Sequence, residues 1–176
     1  MYQNDLQVGK IWAADLIYLP RSAIGFRYCL TLVERVTSYL AAVPLKTLNS
    51  GSVSQAMRLF LSIMPAMDCI VTDHRVADFG SQFTTLCESL GIEHGGSTPR
   101  RSQAQGNIEV ANRIFQSSLA KQCATENARK TWEKFLPRSV QVINSFYPYK
   151  SRLSRLQLLM SPFYFCAGQL QLVNPI

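Results

Sequence analysis

The chain has 176 residues, with 47% hydrophobic and 16% charged residues, which excludes a disordered chain and suffices for one domain with a substantial core. No apolar run approaches the roughly 18–20 residues of a membrane helix, so no membrane association is expected. The net charge of +7 favours a nucleic-acid partner. Residues 95–176 carry eleven Lys or Arg against three Asp or Glu, whereas residues 1–94 carry seven Lys or Arg against eight Asp or Glu. The partner is therefore expected to bind the second half.

The first part of the chain predicts an antiparallel meander followed by a helix. Three runs rich in aliphatic, aromatic and β-branched residues predict strands at 10–19, 25–34 and 37–45. Their short connections favour antiparallel pairing. The next predicted element is a helix that Ser50 or Ser52 caps, that runs to about Met64 and that Pro65 closes.

The middle of the chain predicts strands that alternate with a helix. A short apolar strand is predicted at 67–72, a helix at 81–90, and a brief strand at 91–94. Helices that connect strands in this way favour parallel pairing, so the whole sheet is predicted to be mixed.

The last part of the chain predicts a loop and two helices. The stretch 95–106 is rich in Gly, Ser, Pro and Gln and is predicted to be a mobile loop. A helix is predicted from about Asn107, with an apolar stripe formed by Ile108, Ala111, Phe115 and Leu119. A further helix is predicted at 127–146, kinked or divided near Pro137.

The cysteines and histidines argue against a zinc module in this chain. The five cysteines are widely spaced and mostly embedded in apolar runs, which predicts free buried thiols: Cys29, Cys69, Cys87, Cys123 and Cys166. Since His74 and His94 are the only histidines, a His-rich zinc cluster is excluded, and any metal is expected to be held by oxygen.

Three acidic residues are the candidate chemistry of the chain. Asp15 lies in the first strand, Asp73 follows the fourth, and Glu109 begins the helix at 107, with 35 residues between the last two acids. Acids at neighbouring strand ends and in the first turn of a nearby helix can converge on one cleft. Such a cluster attracts Mg²⁺ or Mn²⁺, and two ions support phosphoryl transfer. Any one of these acids alone is more often a turn or capping residue.

Several motifs surround these acids: Trp-x-x-Asp from Trp12 to Asp15, IVTD ending at Asp73, LGIEH-x-x-STP, and Gln-x-Gln-Gly-x-x-Glu at 103–109. Over residues 8–170 they resemble the catalytic core of retroviral and LTR-retrotransposon, gypsy-like integrases. The resemblance implies an α/β, ribonuclease H-like fold with a five-stranded mixed sheet, three antiparallel strands and then parallel ones, flanked by helices. It also implies a linker at 1–9, a core at 10–170 and a tail at 171–176.

The resemblance also implies roles for individual residues. Asp15, Asp73 and Glu109 would hold two Mg²⁺ or Mn²⁺ ions and would act as ligands and not as nucleophiles. A flexible catalytic loop would include Gln103, Gln105 and Gly106. The residues expected to contact element-end or target DNA are these three together with Arg100, Arg101, Asn112 and Arg113.

The implied function is polynucleotidyl transfer: 3′-end processing of element DNA and strand transfer into target DNA. One alternative is a degenerate or domesticated core that binds DNA without catalysis, and another is a ribonuclease H-type hydrolase. The resemblance further implies a core cut from a polyprotein and separated from an N-terminal zinc module and a C-terminal DNA-binding module. It implies action in the nucleus after a cytoplasmic particle stage, and a homodimer or larger oligomer through the helices at 107–120 and 127–146, for which core packing is the alternative.

The sequence departs from the family pattern after Asp73. Integrases usually have Asp-x-Gly-Ser-x-Phe there, whereas this chain reads DHRVADFGSQF, with Arg75 in place of the Gly. The matching run begins at Asp78, which would leave 30 residues before the Glu, so both registers stay open, with Asp73 preferred for its spacing and strand-end position. Glu34 stands where Asp is frequent and Ser102 where Pro is frequent, and these changes favour reduced activity.

Overall fold

The structure, a computed structural model, describes residues 7–64, 67–72, 79–95, 98–125, 128–148 and 151–165. The strands are β1 (Ile11–Tyr18), β2 (Tyr28–Glu34), β3 (Leu40–Leu45), β4 (Cys69–Thr72) and β5 (Glu93–His94). The α-helices are α1 (Ser50–Leu61), α2 (Ser81–Ser89), α3 (Thr98–Thr125), α4 (Leu136–Ser145) and α5 (Arg155–Phe165). A 3-10 helix, Arg129–Lys134, precedes α4. The domain boundaries given above stay predictions.

The five strands form one mixed sheet in the order β3-β2-β1-β4-β5. The first three strands pair antiparallel, and β4 pairs parallel with both β1 and β5. This confirms the predicted mixed sheet. The central strand β1 can carry this position because helices cover both of its faces and its residues are apolar on both sides.

Alternation along β1 sends its side chains into two hydrophobic layers. One layer includes residues of α1 and α2 and receives the side chains of Trp12, Ala14 and Leu16. The other includes residues of α3 and α4 and receives the side chains of Ile11, Ala13 and Ile17. Since successive residues of a strand face opposite sides, Asp15 falls in the second series and interrupts the apolar face that α3 covers.

The first helix has a different N-cap from the predicted one. The Oδ1 atom of Asn49 accepts a hydrogen bond from the Ser52 backbone N–H at 2.9 Å, and the Ser52 hydroxyl accepts one from the Asn49 N–H at 3.3 Å. The prediction of Ser50 or Ser52 as the cap was therefore wrong, because Asn49 precedes both and forms a reciprocal capping box with Ser52. The helix ends at Leu61.

The third helix begins much earlier than predicted. The stretch 95–106 was predicted to be a loop, but α3 starts at Thr98 and is 28 residues long. Pro99 fits the first turn, where the backbone N–H has no intrahelical partner, and Gly106 inside the helix costs only about 1 kcal/mol. The predicted stripe is buried in the core, which confirms core packing for Ile108, Ala111, Phe115 and Leu119.

The helix predicted at 127–146 is divided near Pro137, as predicted, and its first part is a 3-10 helix. The chain divides into the 3-10 helix and α4, and Pro137 lies in the first turn of α4, where proline is favoured. Helix α5 was not predicted. Its signal was a capping box, since the Ser154 hydroxyl accepts from the Gln157 N–H at 3.2 Å and Gln157 Oε1 accepts from the Ser154 N–H at 2.8 Å.

Four of the five cysteines are free and buried, as predicted, and Cys166 lies outside the described residues. Burial is the main cause that raises the pKa of the Cys87 thiol to about 11, with a further contribution from the charge of Glu88. Such a thiol stays protonated and unreactive near neutral pH. Among the described helices, none combines the length and apolar character that a membrane crossing needs.

Candidate metal and nucleic-acid site

Asp15 lies in the middle of β1 with its carboxylate partly exposed at the edge of the layer that α3 covers. Its Oδ1 accepts a hydrogen bond from the Leu16 backbone N–H at 2.8 Å. On the neighbouring strand the fully buried Thr31 pairs with Asp15, and its hydroxyl donates to the Asp15 carbonyl at 3.3 Å. Asp15 is therefore held by hydrogen bonds both at its carboxylate and at its backbone carbonyl.

Asn112 joins α3 to this carboxylate. Its Nδ2 donates to Asp15 Oδ2 at 2.8 Å, and its side chain is only 6% exposed. Its Oδ1 is also buried and has no hydrogen-bond partner among the described residues. The resemblance implied that Asn112 contacts DNA, but the structure turns this side chain inward, because Asn112 follows Ile108 by four residues and falls on the buried stripe of α3. That spacing was the sequence signal for the burial of Asn112.

Glu109 and Arg113 lie on the exposed side of the same helix. Glu109 precedes Asn112 by three residues, which corresponds to about 4.5 Å along the helix axis. Arg113 follows Glu109 by four residues and therefore lies on the same face. Gly106 is exposed on this face as well, and a Cβ there would meet no described atom within 4 Å apart from its chain neighbours and the backbone of its own helix. The carboxylate, the guanidinium and the bare backbone thus share one exposed face of α3, and Glu109 lies one turn before the residue that contacts Asp15.

The second predicted acid, Asp73, and its competitor Asp78 lie outside the described residues. The strand that leads to Asp73 is described: Thr72, the last residue of β4, pairs with Ala14, the residue before Asp15. Within the described part of the chain, no three His, Cys, Asp or Glu side chains lie close enough together to hold a metal. The choice between Asp73 and Asp78 stays a prediction.

A histidine that was not predicted to be functional lies beside the end of β4. His94 Nε2 is 2.8 Å from the Thr72 hydroxyl, and its Nδ1 is 3.3 Å from the Thr84 hydroxyl of α2. The ring of Phe83 packs edge-on against the imidazole at 5.1 Å between centroids. His94 thus anchors the residue that immediately precedes Asp73. The parallel pairing of IVTD with GIEH was the signal that could have revealed this contact.

The remaining predicted site residues lie in the first turns of α3: Arg100, Arg101, Gln103 and Gln105. Their side chains are not described, so their predicted contacts with DNA stay predictions. The prediction that Gln103, Gln105 and Gly106 form a flexible loop is wrong for this structure, because all three belong to the helix. The helix propagates backwards from its packed part through residues that tolerate helical geometry.

The sequence is similar to parts of retroviral and transposon polyproteins. No protein-family model matches the chain. It is 25% identical over 166 residues to the retrovirus-related Pol polyprotein from transposon 412 of Drosophila melanogaster, covering 90% of this chain and 13% of that protein. It is 26% identical over 136 residues to the Pro-Pol polyprotein of Simian foamy virus type 3, covering 77% and 12%. The chain therefore spans only a small part of the polyproteins it matches.

The fold is similar to that of integrase catalytic cores. The catalytic core domain of BIV integrase superposes with a TM-score of 0.73 at 17% identity, covering 90% of this chain and 99% of that one. The HTLV-2 integrase catalytic core domain in complex with magnesium, in a trimeric form, gives 0.71 at 18%, covering 87% and 97%. A chain of the simian T-cell lymphotropic virus intasome, in complex with PP2A regulatory subunit B56 gamma, gives 0.75 at 20%, covering 97% and 58%.

These comparisons define the class of the domain. The sheet order and the structural neighbours confirm the ribonuclease H-like fold. Together with the similarity to Pol polyproteins, they confirm the resemblance to the retroviral and LTR-retrotransposon integrase catalytic core that the motifs indicate.

Proposed function

We propose that this chain is the catalytic core of an integrase-type polynucleotidyl transferase, which processes the 3′ ends of element DNA and joins them to target DNA with a divalent metal. One observation carries the proposal: Asn112 holds the Asp15 carboxylate at 2.8 Å, one helical turn from Glu109. The parallel register adds support, because Asp15 and Asp73 are the residues that follow the paired Ala14 and Thr72.

The residues present fit a hard divalent cation. Asp15, Asp73 and Glu109 are the side chains that would hold Mg²⁺ or Mn²⁺, which prefer oxygen ligands. The buried Oδ1 of Asn112, without a hydrogen-bond partner among the described residues, adds an oxygen dipole beside the Asp15 carboxylate. When bound, the metal would supply Lewis acidity toward a phosphate of the DNA. The HTLV-2 core in complex with magnesium supports this assignment by analogy.

The chain itself orients the first acid. The Leu16 N–H occupies one lone pair of Oδ1, and the Asn112 amide occupies one of Oδ2. The two hydrogen bonds therefore orient the carboxylate through both of its oxygens. The site therefore holds Asp15 in a fixed orientation before metal and DNA arrive, and orientation of reacting groups is a large part of phosphoryl-transfer catalysis.

The exposed face of α3 suits the DNA backbone. Arg113 is exposed one turn beyond Glu109, where a guanidinium can contact a phosphate oxygen of the strand whose end reacts. Arg100 and Arg101 precede it on the same helix and are proposed to add backbone contacts. We further propose that the domain acts in the nucleus. We also propose that it acts as an oligomer, by analogy with the trimeric form of the HTLV-2 core.

Single-residue variants test the proposal and the register together. In a strand-transfer assay with Mn²⁺ and a duplex that carries an element end, Asp15→Asn, Asp73→Asn and Glu109→Gln should each lower the rate at least about 100-fold. Asp78→Asn is the matched control and should retain most of the activity. An equal rate for wild type and Glu109→Gln, with DNA binding unaffected by Mn²⁺, would instead support a core that binds DNA without catalysis.

A further inference from the structure

The connection between β1 and β2 is fixed against two other parts of the chain. Within the connection, the Leu19 N–H donates to the Arg27 carbonyl and the Ser22 N–H to the Phe26 carbonyl, both at 2.8 Å. The tight turn is completed by Gly25, whose φ of +95° favours glycine. These bonds give the connection a defined shape and not that of a free loop.

Contacts with the 3-10 helix and with β3 bring distant cations together. The Ala23 N–H donates to the Lys130 carbonyl at 2.7 Å, and the Trp132 indole N–H donates to the Pro20 carbonyl at 2.6 Å. On the other side, the Arg27 N–H donates to the carbonyl of Leu45, the residue before Lys46, at 3.1 Å. We call the resulting surface the hairpin patch, formed by Tyr18, Arg21, Phe26, Arg27, Tyr28, Lys46 and Lys130.

The exposed charges of the hairpin patch are positive. All four of its cations are exposed: Arg21, Arg27, Lys46 and Lys130. Between Asp15 and Asp68 the sequence contains a single acid, Glu34, and this residue is fully buried. On the 3-10 helix, both carboxylate oxygens of Glu133 are also buried. Within the described residues, therefore, no exposed carboxylate of these segments offsets the four cations.

Aromatic rings hold two of these cations in place. Lys46 Nζ lies 5.4 Å from the centroid of the Phe26 ring, and Arg27 Cζ lies 5.9 Å from that of Tyr28. Tyr28 packs edge-on against Tyr18, whose ring is 70% exposed. Cation–π contacts of this kind restrict the side chains before a ligand binds, which reduces the entropic cost of binding.

The hairpin patch lies close to the candidate catalytic site. Tyr18 follows Asp15 by three residues on β1, about 10 Å along the strand, and lies on the opposite face of the sheet, whereas Phe26 of the hairpin patch packs in the layer that Asp15 faces. On β2, Tyr28 pairs with Tyr18 and Thr31 pairs with Asp15, so both strands run directly from one region to the other. About 10 Å corresponds to about three base pairs of a DNA duplex, whose phosphates repeat every 3.4 Å along each strand.

We propose that the hairpin patch binds the phosphate backbone of duplex DNA beside the catalytic site, so that the DNA passes from α3 across the β1–β2 connection. This inference rests on the proposed function, because it assigns a path to the DNA of the same reaction. Four exposed cations are complementary in charge to a polyanion, and this complementarity favours DNA as the partner.

Salt-dependent DNA binding tests the hairpin patch without catalysis. The assay is fluorescence anisotropy of a labelled duplex of about 30 base pairs, in EDTA, across a range of salt concentrations. Removing one cation that neutralises a phosphate should lower the slope of log K against log salt by about 0.9, which is about eightfold in affinity at 0.1 M salt. We expect this change for Arg27→Gln and a slope lowered by about two to three for the triple variant R21Q/R27Q/K46Q.

Arg58→Gln is the matched control, because Arg58 is an exposed cation on α1, outside the hairpin patch. Its slope should equal that of the wild type. An unchanged slope in the triple variant, or an equal decrease in Arg58→Gln, would overturn the inference. Circular dichroism checks that the variants fold. Because no metal is present, a failure of the proposed catalysis in the Asp15→Asn experiment stays distinguishable from a failure of this surface to bind DNA.

Discussion

Replacing Glu34 with alanine should strongly destabilise the domain, because its buried carboxylate joins the start of β1 to the turn between β2 and β3. Glu34 is 0% exposed. Its Oε1 accepts from the Gly9 N–H at 3.1 Å, and its Oε2 accepts from the Val36 N–H at 2.9 Å and from the Thr37 N–H and hydroxyl at 2.6 and 2.7 Å. The same region holds Trp12, whose indole N–H donates to the Gly9 carbonyl at 2.9 Å.

The magnitude follows from the donors that the substitution leaves behind. Four N–H or O–H groups lose their acceptor, and a buried donor without a partner costs about 1–3 kcal/mol. Water that enters the space, and the fact that such terms do not add, reduce the total to about 3–5 kcal/mol. Glu34→Gln keeps the length of the side chain but turns one acceptor oxygen into a donor, so about 2 kcal/mol is expected.

Urea unfolding followed by circular dichroism measures these free energies. The matched control is Glu88→Ala, since Glu88 is an exposed acid on α2, and its free energy of unfolding should stay within about 0.5 kcal/mol of the wild type. The reasoning is refuted if Glu34→Ala lowers the free energy of unfolding by less than about 1 kcal/mol with an unchanged m-value.

Two further predictions concern residues that position the acids. Asn112→Ala should weaken Mn²⁺ binding about 10- to 100-fold in calorimetry, because the Asp15 carboxylate loses its orienting amide. Arg113→Ala should instead weaken DNA binding and leave the metal affinity unchanged. The reverse pattern would restore the role of Asn112 in contacting DNA. His94→Ala should lower the strand-transfer rate about 10-fold without changing DNA affinity, since Thr72 loses its anchor beside Asp73. Thr84→Val leaves the bond between Thr72 and His94 and should be milder, so equal decreases in both variants would point to a general packing defect.

The strands could be predicted from the sequence because their signal is local. The runs around Cys29 and Val43 are continuous, apolar and bounded by short connections, and each became a strand within a few residues of its predicted ends. The first turns of α3 could not be predicted in this way, because residues 98–106 show no apolar periodicity. Their helicity depends on Ile108 and Phe115 further along, whose burial fixes the helix that then extends backwards.

The candidate site, too, could be predicted from the sequence only in part. The spacing of Asp15, Asp73 and Glu109 could be read from the sequence, but the contact of Asn112 with Asp15 needs the angle at which α3 crosses β1. The contact of His94 with Thr72 needs the parallel pairing of β4 with β5. Both side chains make contacts between elements that lie far apart in sequence. A motif alone therefore identifies the residues but does not predict where their side chains point.

Charge shows most clearly why a sum over sequence is a poor guide to a binding surface. The first half of the chain carries slightly more acids than bases, and nucleic-acid binding was predicted for the second half. The fold changes that balance, because Glu34 is buried under hydrogen bonds and Asp68 is paired with Lys10 at 2.9 Å. The cations of the β1–β2 connection and of Lys46 stay exposed, and the 3-10 helix adds Lys130 to them. What a polyanion meets is the charge that remains at the surface after burial and pairing, and here that charge lies beside Asp15 as well as on α3.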